Sequence, residues 1–232
     1  MTTPPVAIAL QVLLAAAYAL LAHTASARQD DAFAAAALVV LVLLLMVVPL
    51  RDRRRWAWLA LPLLLMTVWL LHASGLASLP LLLVPVAFLG LVAYWFARSL
   101  RAGSVPRITR IVAALEALPA ERVAADLRAY TRGLTALWAV LLLVLAVTNL
   151  ALALVASPGG LLATVGISAP VTITREQWSW FANLANYGIV GGAFVIEYWV
   201  RKWRFPGRYR NVADFVRKLS SLGPAFWRDF LR

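Results

Sequence analysis

The chain has no cysteine among its 232 residues, and only two histidines. Without a thiol it cannot form a disulfide, a thiolate nucleophile, an iron–sulfur cluster or a cysteine-ligated zinc site. His23 and His72, with Asp30 and Asp31 in a neighbouring loop, make a metal site conceivable, but two histidines rarely complete one. We therefore expect no metal and no cofactor.

Charged residues are also few, since only 14% of the residues are charged and 63% are hydrophobic. A soluble domain has about one quarter charged residues. The few charges are mostly basic, with a formal net charge of +12. The arginines stand in short blocks between apolar segments, where membrane orientation and anionic lipid explain them first. We expect membrane lipids, and not nucleic acid, as the partner of these charges.

Recognisable catalytic motifs are also absent. The chain contains no G-x-x-x-x-G-K-[ST], G-x-S-x-G or H-E-x-x-H pattern. It therefore lacks the usual signatures of nucleotide hydrolysis, α/β-hydrolase chemistry and zincin proteolysis. Whether the protein is an enzyme stays open at this point, and the absences favour a non-enzymatic role.

What the chain has instead is long apolar runs. Each is long enough to cross a hydrocarbon layer about 30 Å thick as a helix. The sequence predicts an all-α, polytopic integral membrane protein with six transmembrane helices, at residues 5–23, 32–50, 56–73, 79–97, 134–156 and 178–200.

The loops between these runs alternate in charge. Four basic residues lie in 51–55, seven in 98–132 and nine in 201–232, which leaves only Arg28 and Arg175 elsewhere. Because lysine and arginine in short loops stay on the cytoplasmic side, both termini are predicted to be cytoplasmic, in a bacterial inner membrane. Ala25-Ser26-Ala27 resembles a signal-peptidase site, but the preceding residues carry no positive charge, so cleavage is the less favoured alternative.

The domain organisation follows from this topology. Four regions are predicted: helices 1–4 in 1–97, a basic cytoplasmic insert in 98–133, helices 5 and 6 in 134–203 with a periplasmic loop at 157–177, and a basic tail in 204–232. Thr174 and Gln177 match a capping box that starts the sixth helix near Arg175.

The insert and the tail both show an apolar stripe at helical spacing. The stripe of the insert consists of Ile108, Ile111, Val112, Leu115 and Leu118, and that of the tail of Val212, Phe215, Val216 and Leu219. Such helices are expected to lie in the membrane interface, with their basic residues among anionic headgroups. A docking face for a cytoplasmic partner is the alternative. The predicted interfacial or partner-binding residues are Arg107, Arg110, Arg208, Arg210, Arg217 and Lys218.

Polar residues within the predicted spans are the candidates for function, because each must find a partner where water is absent. Asn149, Asn183 and Asn186 should share the periplasmic half, either as an interhelical hydrogen-bond clamp or as a ligand pocket.

Glu197, beside Tyr198, should lie near the cytoplasmic end of the sixth helix. Arg132 or Thr135 of the antiparallel fifth helix is expected at a similar depth. An ion pair is the simplest explanation for an acidic residue at this depth, and a role of Glu197 as a proton carrier or substrate contact is the alternative.

The second half of the chain resembles a family of small bacterial membrane proteins of aryl-polyene and xanthomonadin pigment gene clusters. The likeness lies in Tyr130-Thr131-Arg132, Trp138, Asn149, Asn186, Gly192, Phe194, Glu197-Tyr198 and Arg201. Here Tyr187 separates Asn186 from Gly188, where an Asn-Gly pair is expected of the family.

The resemblance implies a part in making, assembling or moving a lipid-linked pigment. Relatives are sometimes labelled ketosynthase, but thiolase-type condensation needs a cysteine that this chain lacks. Two functions are expected: an accessory subunit that recruits cytoplasmic pigment-synthesis enzymes, which we favour, or an acyl-lipid-handling enzyme or transporter.

Overall fold

The computed structural model describes residues 5–157, 159–205, 217 and 220–230, with the backbone alone at 5–8, 175, 179, 182–183, 224–225 and 228. The described chain is all-α apart from one parallel pairing of two-residue strands, β1 (Ala156–Ser157) and β2 (Ile173–Thr174). The helices are α1 (Pro5–Arg28), α2 (Asp31–Arg51), α3 (Arg55–Ala73), α4 (Ser78–Arg98), α5 (Arg107–Leu115), α6 (Ala125–Val155), α7 (Leu161–Thr164), α8 (Arg175–Trp180), α9 (Asn186–Arg204) and α10 (Gly223–Phe230).

Five of the described helices are long and apolar enough to cross a membrane, namely α1, α2, α3, α4 and α6. Large apolar side chains stay exposed along them, including Leu59 at 77% and Leu91 at 67%. Such exposure is unfavourable in water and is neutral in hydrocarbon. The protein is therefore a multi-pass membrane protein, as the apolar runs predicted.

The sixth predicted span, 178–200, has a different structure. It is divided among α8, a π-helical turn at Phe181–Ala185 and α9. Three glycines, the asparagines at 183 and 186 and the charge of Glu197 make this segment less apolar than the other five. A crossing by this segment stays a prediction.

Two helix starts, those of α2 and α8, are capped by side chains as local rules predict. The side chain of Asp30 accepts a hydrogen bond from the Ala32 amide at 2.8 Å and starts α2. Thr174 and Gln177 form the reciprocal capping box at the start of α8, so that prediction is confirmed. These bonds satisfy backbone donors that a helix start otherwise leaves unpaired.

Helix α6 begins at Ala125, well before the boundary at residue 134 that the apolar pattern suggested. The last part of the basic insert is therefore the first part of a 31-residue helix. Alanine, leucine and arginine favour helix whether or not they lie in lipid, so a change of polarity need not end the helix. The amino-acid composition indicates where the apolar part of the chain begins, and the helix continues across that boundary.

The chain divides into two compact units. The first contains residues up to Pro85 together with Asn149–Phe181. Its core lies among the first four helices, where Ala34, Ala57 and Ala77 are fully buried beside Leu38 and Val68. Alanine at these positions lets helices approach closely, which is how helices pack where no hydrophobic effect drives them together.

The second unit contains Val86–Thr148 and Ala182–Arg232. Here α5 is held against α6 by hydroxyl groups as well as by packing. The Ile108 amide donates to Thr135 Oγ1 at 3.3 Å, and the hydroxyls of Thr109 and Thr131 lie 2.8 Å apart. All four residues are buried. Part of the apolar stripe of the insert is therefore covered by α6 instead of facing outwards.

Asp31, the first residue of α2, bonds to residues at the end of α3 and the start of α4. Replacing it tests how much these bonds stabilise the first unit. Its Oδ2 lies 3.1 Å from His72 Nδ1, and its Oδ1 accepts from the Ser78 amide at 3.1 Å. Asp31→Ala is expected to lower stability in detergent micelles by about 1–3 kcal/mol, because both groups lose their acceptor. Thermal unfolding followed by circular dichroism measures the change. Asp31→Asn should cost less, and Asp52→Ala, which breaks only an exposed pair with Arg51, should cost least.

Candidate functional site

The candidate site is a groove of about 620 Å³ within the second unit, between α6 and α9. Its walls are mostly aliphatic, with Leu134, Leu137 and Leu141 from α6 and Ala193, Ile196 and Val200 from α9. Three polar residues also line it, Tyr130, Glu197 and Arg204. We call this feature the α6–α9 groove.

Helical spacing explains the walls. Tyr130, Leu134, Leu137 and Leu141 recur at three- and four-residue intervals and so share one face of α6. Gly133 lies on the same face, and a Cβ added there would meet no atom within 4 Å. The groove therefore owes part of its depth to a missing side chain.

A charged cluster lies at one end of the groove. The guanidinium of Arg201 contacts Glu197 Oε1 through Nε at 2.7 Å and through Nη2 at 2.5 Å. Tyr130 Oη donates to the same oxygen at 3.3 Å. The side chains of Arg201 and Glu197 are only 14% and 10% exposed. A carboxylate in such surroundings needs a partner, and the pair one helical turn apart supplies it.

Aromatic contacts fix the two helices around the groove. The ring of Trp138 packs on that of Phe194 with centroids 4.4 Å apart, which joins α6 to α9. Phe205 meets the ring of Tyr130 edge to face at 5.2 Å. The Arg204 guanidinium lies 5.9 Å from the centroid of the same ring, within the range of a cation–π contact.

The predicted partner of Glu197 was wrong. The Glu197 carboxylate pairs with Arg201 of its own helix, while Arg132 donates through Nη2 to the Leu100 carbonyl at 2.8 Å. Thr135 uses its hydroxyl on the Thr131 carbonyl at 2.7 Å. The reason is helical geometry, because two residues of rotation place Arg132 on nearly the opposite side of α6 from Tyr130. Tyr198, adjacent to Glu197, is half-buried.

Two of the three predicted asparagines are buried side chains. Asn149 and Asn186 are buried, at 0% and 6% exposure, and belong to different units. The side chain of Asn183 lies outside the described residues. A clamp or pocket formed by these asparagines stays a prediction.

Arg107 differs from the exposed interfacial arginine that the sequence predicted. It is 7% exposed, and its guanidinium lies 4.0 Å from the ring centroid of Trp95. Its Nη1 donates to the carbonyl of Phe230 in α10. Burial, and then the positive charges of Arg110 and Arg98, lower the pKa of Arg107. This arginine therefore holds α10 in place and is not available to headgroups.

The other predicted interfacial arginines divide into two groups. Arg110 is half-buried and pairs with Asp229 at 3.1 Å, and Arg217 is exposed. The remaining predicted positions lie outside the described residues, namely Arg208, Arg210 and Lys218 with the tail stripe of Val212, Phe215, Val216 and Leu219. Among the described residues no group of three or more metal-ligating side chains occurs, and the His72 ring lies within hydrogen-bond distance of Asp31.

Four residues of the site were not predicted as site residues, namely Tyr130, Gly133, Arg201 and Arg204, although Tyr130 and Arg201 are among the residues that carry the family resemblance. A signal existed for Arg201, because Glu197 and Arg201 are four residues apart on one helix. Nothing local distinguishes Gly133 or Tyr130, since their roles depend on the helix that packs opposite.

Comparison with protein-family models, with curated proteins and with solved structures finds no match to this chain.

A double-mutant cycle tests the charged cluster. Glu197→Gln or Arg201→Gln alone is expected to lower the melting temperature in micelles, because each leaves an unpaired charge in a poorly solvated site. The double variant should recover part of the loss, with a coupling energy of about 1–3 kcal/mol. Tyr130→Phe should cost less, since it removes one long hydrogen bond. Additive losses from the two charge removals would show that the pair does not contribute as a unit.

Proposed function

We propose that this protein handles an acyl-chain molecule, held in the α6–α9 groove, within a bacterial inner membrane. One observation carries the proposal: a groove of about 620 Å³ in a chain that spans a membrane is lined by aliphatic side chains along most of its length. Small-molecule sites have volumes of about 300–1,000 Å³ and are mostly apolar with a few polar groups. The groove has that size and that composition.

The distribution of polarity favours an amphiphile. Aliphatic walls offer no hydrogen bonds and so suit a hydrocarbon chain, whether saturated or polyene. Tyr130, Glu197 and Arg204 line one end, where the polar group of such a molecule would lie. A lipid-linked pigment or its precursor is the molecule that the proposed resemblance of the second half of the chain to proteins of aryl-polyene clusters implies.

Recruitment of cytoplasmic pigment-synthesis enzymes, the favoured function at the sequence level, has less support. That role relied on the apolar stripe and arginines of the insert as a docking face. Arg107, Ile108 and Val112 are buried within the second unit. The part of the stripe that packs internally is not free for a partner, and so we place acyl handling first.

Six crossings with both ends in the cytoplasm complete the proposal. The five spanning helices and the arginines at alternate loops support it, with the segment from α8 to α9 as the sixth crossing. The polar end of the groove then lies at the cytoplasmic face.

Filling the groove tests acyl binding. Gly133→Leu adds a side chain into open space, so it should block the groove without a clash. Replacing glycine inside a helix also stabilises it by about 0.5–1 kcal/mol, so the melting temperature should not fall. We expect binding of a fluorescent polyene fatty acid to the micellar protein to weaken at least tenfold.

Gly90→Leu is the matched control for that experiment. Gly90 also lies within a helix of the second unit, and a Cβ added there would likewise meet no atom within 4 Å, but it does not line the groove. Binding should be unchanged in this variant. Equal affinity of the parent and Gly133→Leu for the probe would remove the groove from the proposal.

Cysteine labelling tests the orientation, and the absence of native cysteine leaves no background. Ser74 is exposed after α3 and Ala102 is exposed after α4. In intact cells with a permeable outer membrane, Ser74→Cys is expected to react with an impermeant maleimide. Ala102→Cys should react only after the inner membrane is opened. The reverse pattern would invert the topology.

A further inference from the structure

A second cavity, of about 400 Å³, lies in the second unit on a different face of α6 from the groove. Its walls are the 104–106 segment with Thr109, Ala120 and Glu121 of the 3₁₀ turn that ends at Arg122, and the first turns of α6. Three separate stretches of chain thus enclose one space. Ala129 lines both this cavity and the α6–α9 groove.

The charge of this cavity is unbalanced. Arg128 and Arg132 both line it, four residues apart on α6, and the single acidic residue in the wall is Glu121. Among the described residues, no carboxylate lies within salt-bridge distance of Arg128 or Arg132. Two guanidinium groups one turn apart, opposed by one carboxylate, leave a net positive site open to an anion.

Arg132 is held in position before any ligand arrives. Its Nη2 donates to the Leu100 carbonyl at 2.8 Å, which restrains the side chain. A guanidinium carries five N–H donors, so most of them stay available. Arg128 is exposed and can move to meet a ligand. One fixed and one movable arginine suit an anion with several acceptor oxygens.

One neutral hydroxyl group adds a donor to the wall. The side chain of Ser104 lines the cavity, whereas the Thr109 hydroxyl is already satisfied by Thr131 at 2.8 Å. Arginine forks bind phosphate through paired N–H···O contacts, and several such contacts favour a tetrahedral anion. The volume also leaves room for a group attached to the phosphate.

We propose that this cavity binds the phosphate of a phosphorylated ligand through Arg128 and Arg132. The ligand is a phospholipid headgroup or a soluble phosphate compound, and both present the same anion. The proposal does not rest on acyl binding in the groove.

The test uses the full chain purified in a maltoside detergent, which contributes no phosphate. Isothermal titration is carried out with two probes, dihexanoyl phosphatidic acid and inorganic pyrophosphate. We expect Arg128→Gln to weaken binding about tenfold or more, the order expected for losing one charge-assisted hydrogen bond. Arg128 makes no described side-chain contact that its replacement would break, so the melting temperature should stay unchanged.

Two further variants separate the cavity from general charge. Arg122→Gln makes the same charge change in the neighbouring turn at a residue that does not line the cavity, and it should leave the affinity unchanged. Glu121→Gln removes the opposing carboxylate and should strengthen binding several-fold.

The outcomes distinguish the source of the phosphate. Arg128-dependent binding of phosphatidic acid alone identifies a lipid headgroup, and Arg128-dependent binding of pyrophosphate identifies a soluble ligand. Binding of neither probe, or an equal loss in Arg122→Gln, would overturn the proposal. Acyl binding in Gly133→Leu is measured separately, so failure of one site does not imply failure of the other.

Discussion

Charge in a poorly hydrated place must be paired within the protein, and this constraint shapes the second unit. Glu197 and Arg201 satisfy one another across a single turn of α9, with Tyr130 from α6 on the same oxygen. Because the partner is on the same helix, the pair needs no rigid docking between helices to remain neutral. α6 and α9 can therefore leave an open groove between them, where an interhelical ion pair would have drawn them together.

The same constraint operates where α5 meets α6. Threonine hydroxyls there bond to one another and to backbone groups, and Arg107 is stabilised by aromatic faces and a carbonyl instead of a carboxylate. Such contacts satisfy much of the polarity of the insert internally. Among the described residues Arg128 and Arg132 have no carboxylate partner and line the same cavity, which is why the second cavity is the more suitable place for an anion.

Helix α6 organises both sites through its period. Residues 130, 134, 137 and 141 face the apolar groove, whereas 125, 128 and 132 face the charged cavity. A single 31-residue helix thus separates the aliphatic groove from the cavity that contains Arg128 and Arg132, with Ala129 lining both. An amphiphile with a phosphate head would find both environments within a short distance on one helix, although each site is defined by its own residues.

The sequence by itself determined the class of protein, because apolar runs of membrane length have one stable solution, the helix, whatever surrounds them. The capping box at Thr174 was equally local and was predicted correctly. The start of α6 and the burial of Arg107 were not predicted correctly. Hydropathy indicates whether a segment lies in water or in hydrocarbon. It does not indicate where a helix begins along the backbone, or which residues pack on a given side chain. Only the tertiary structure decided that Tyr130 shares the Glu197 carboxylate and that the space beside Gly133 is empty. Both depend on the rotation of α6 about its axis against α9, and that rotation is set by the sum of many contacts instead of by any short stretch of residues.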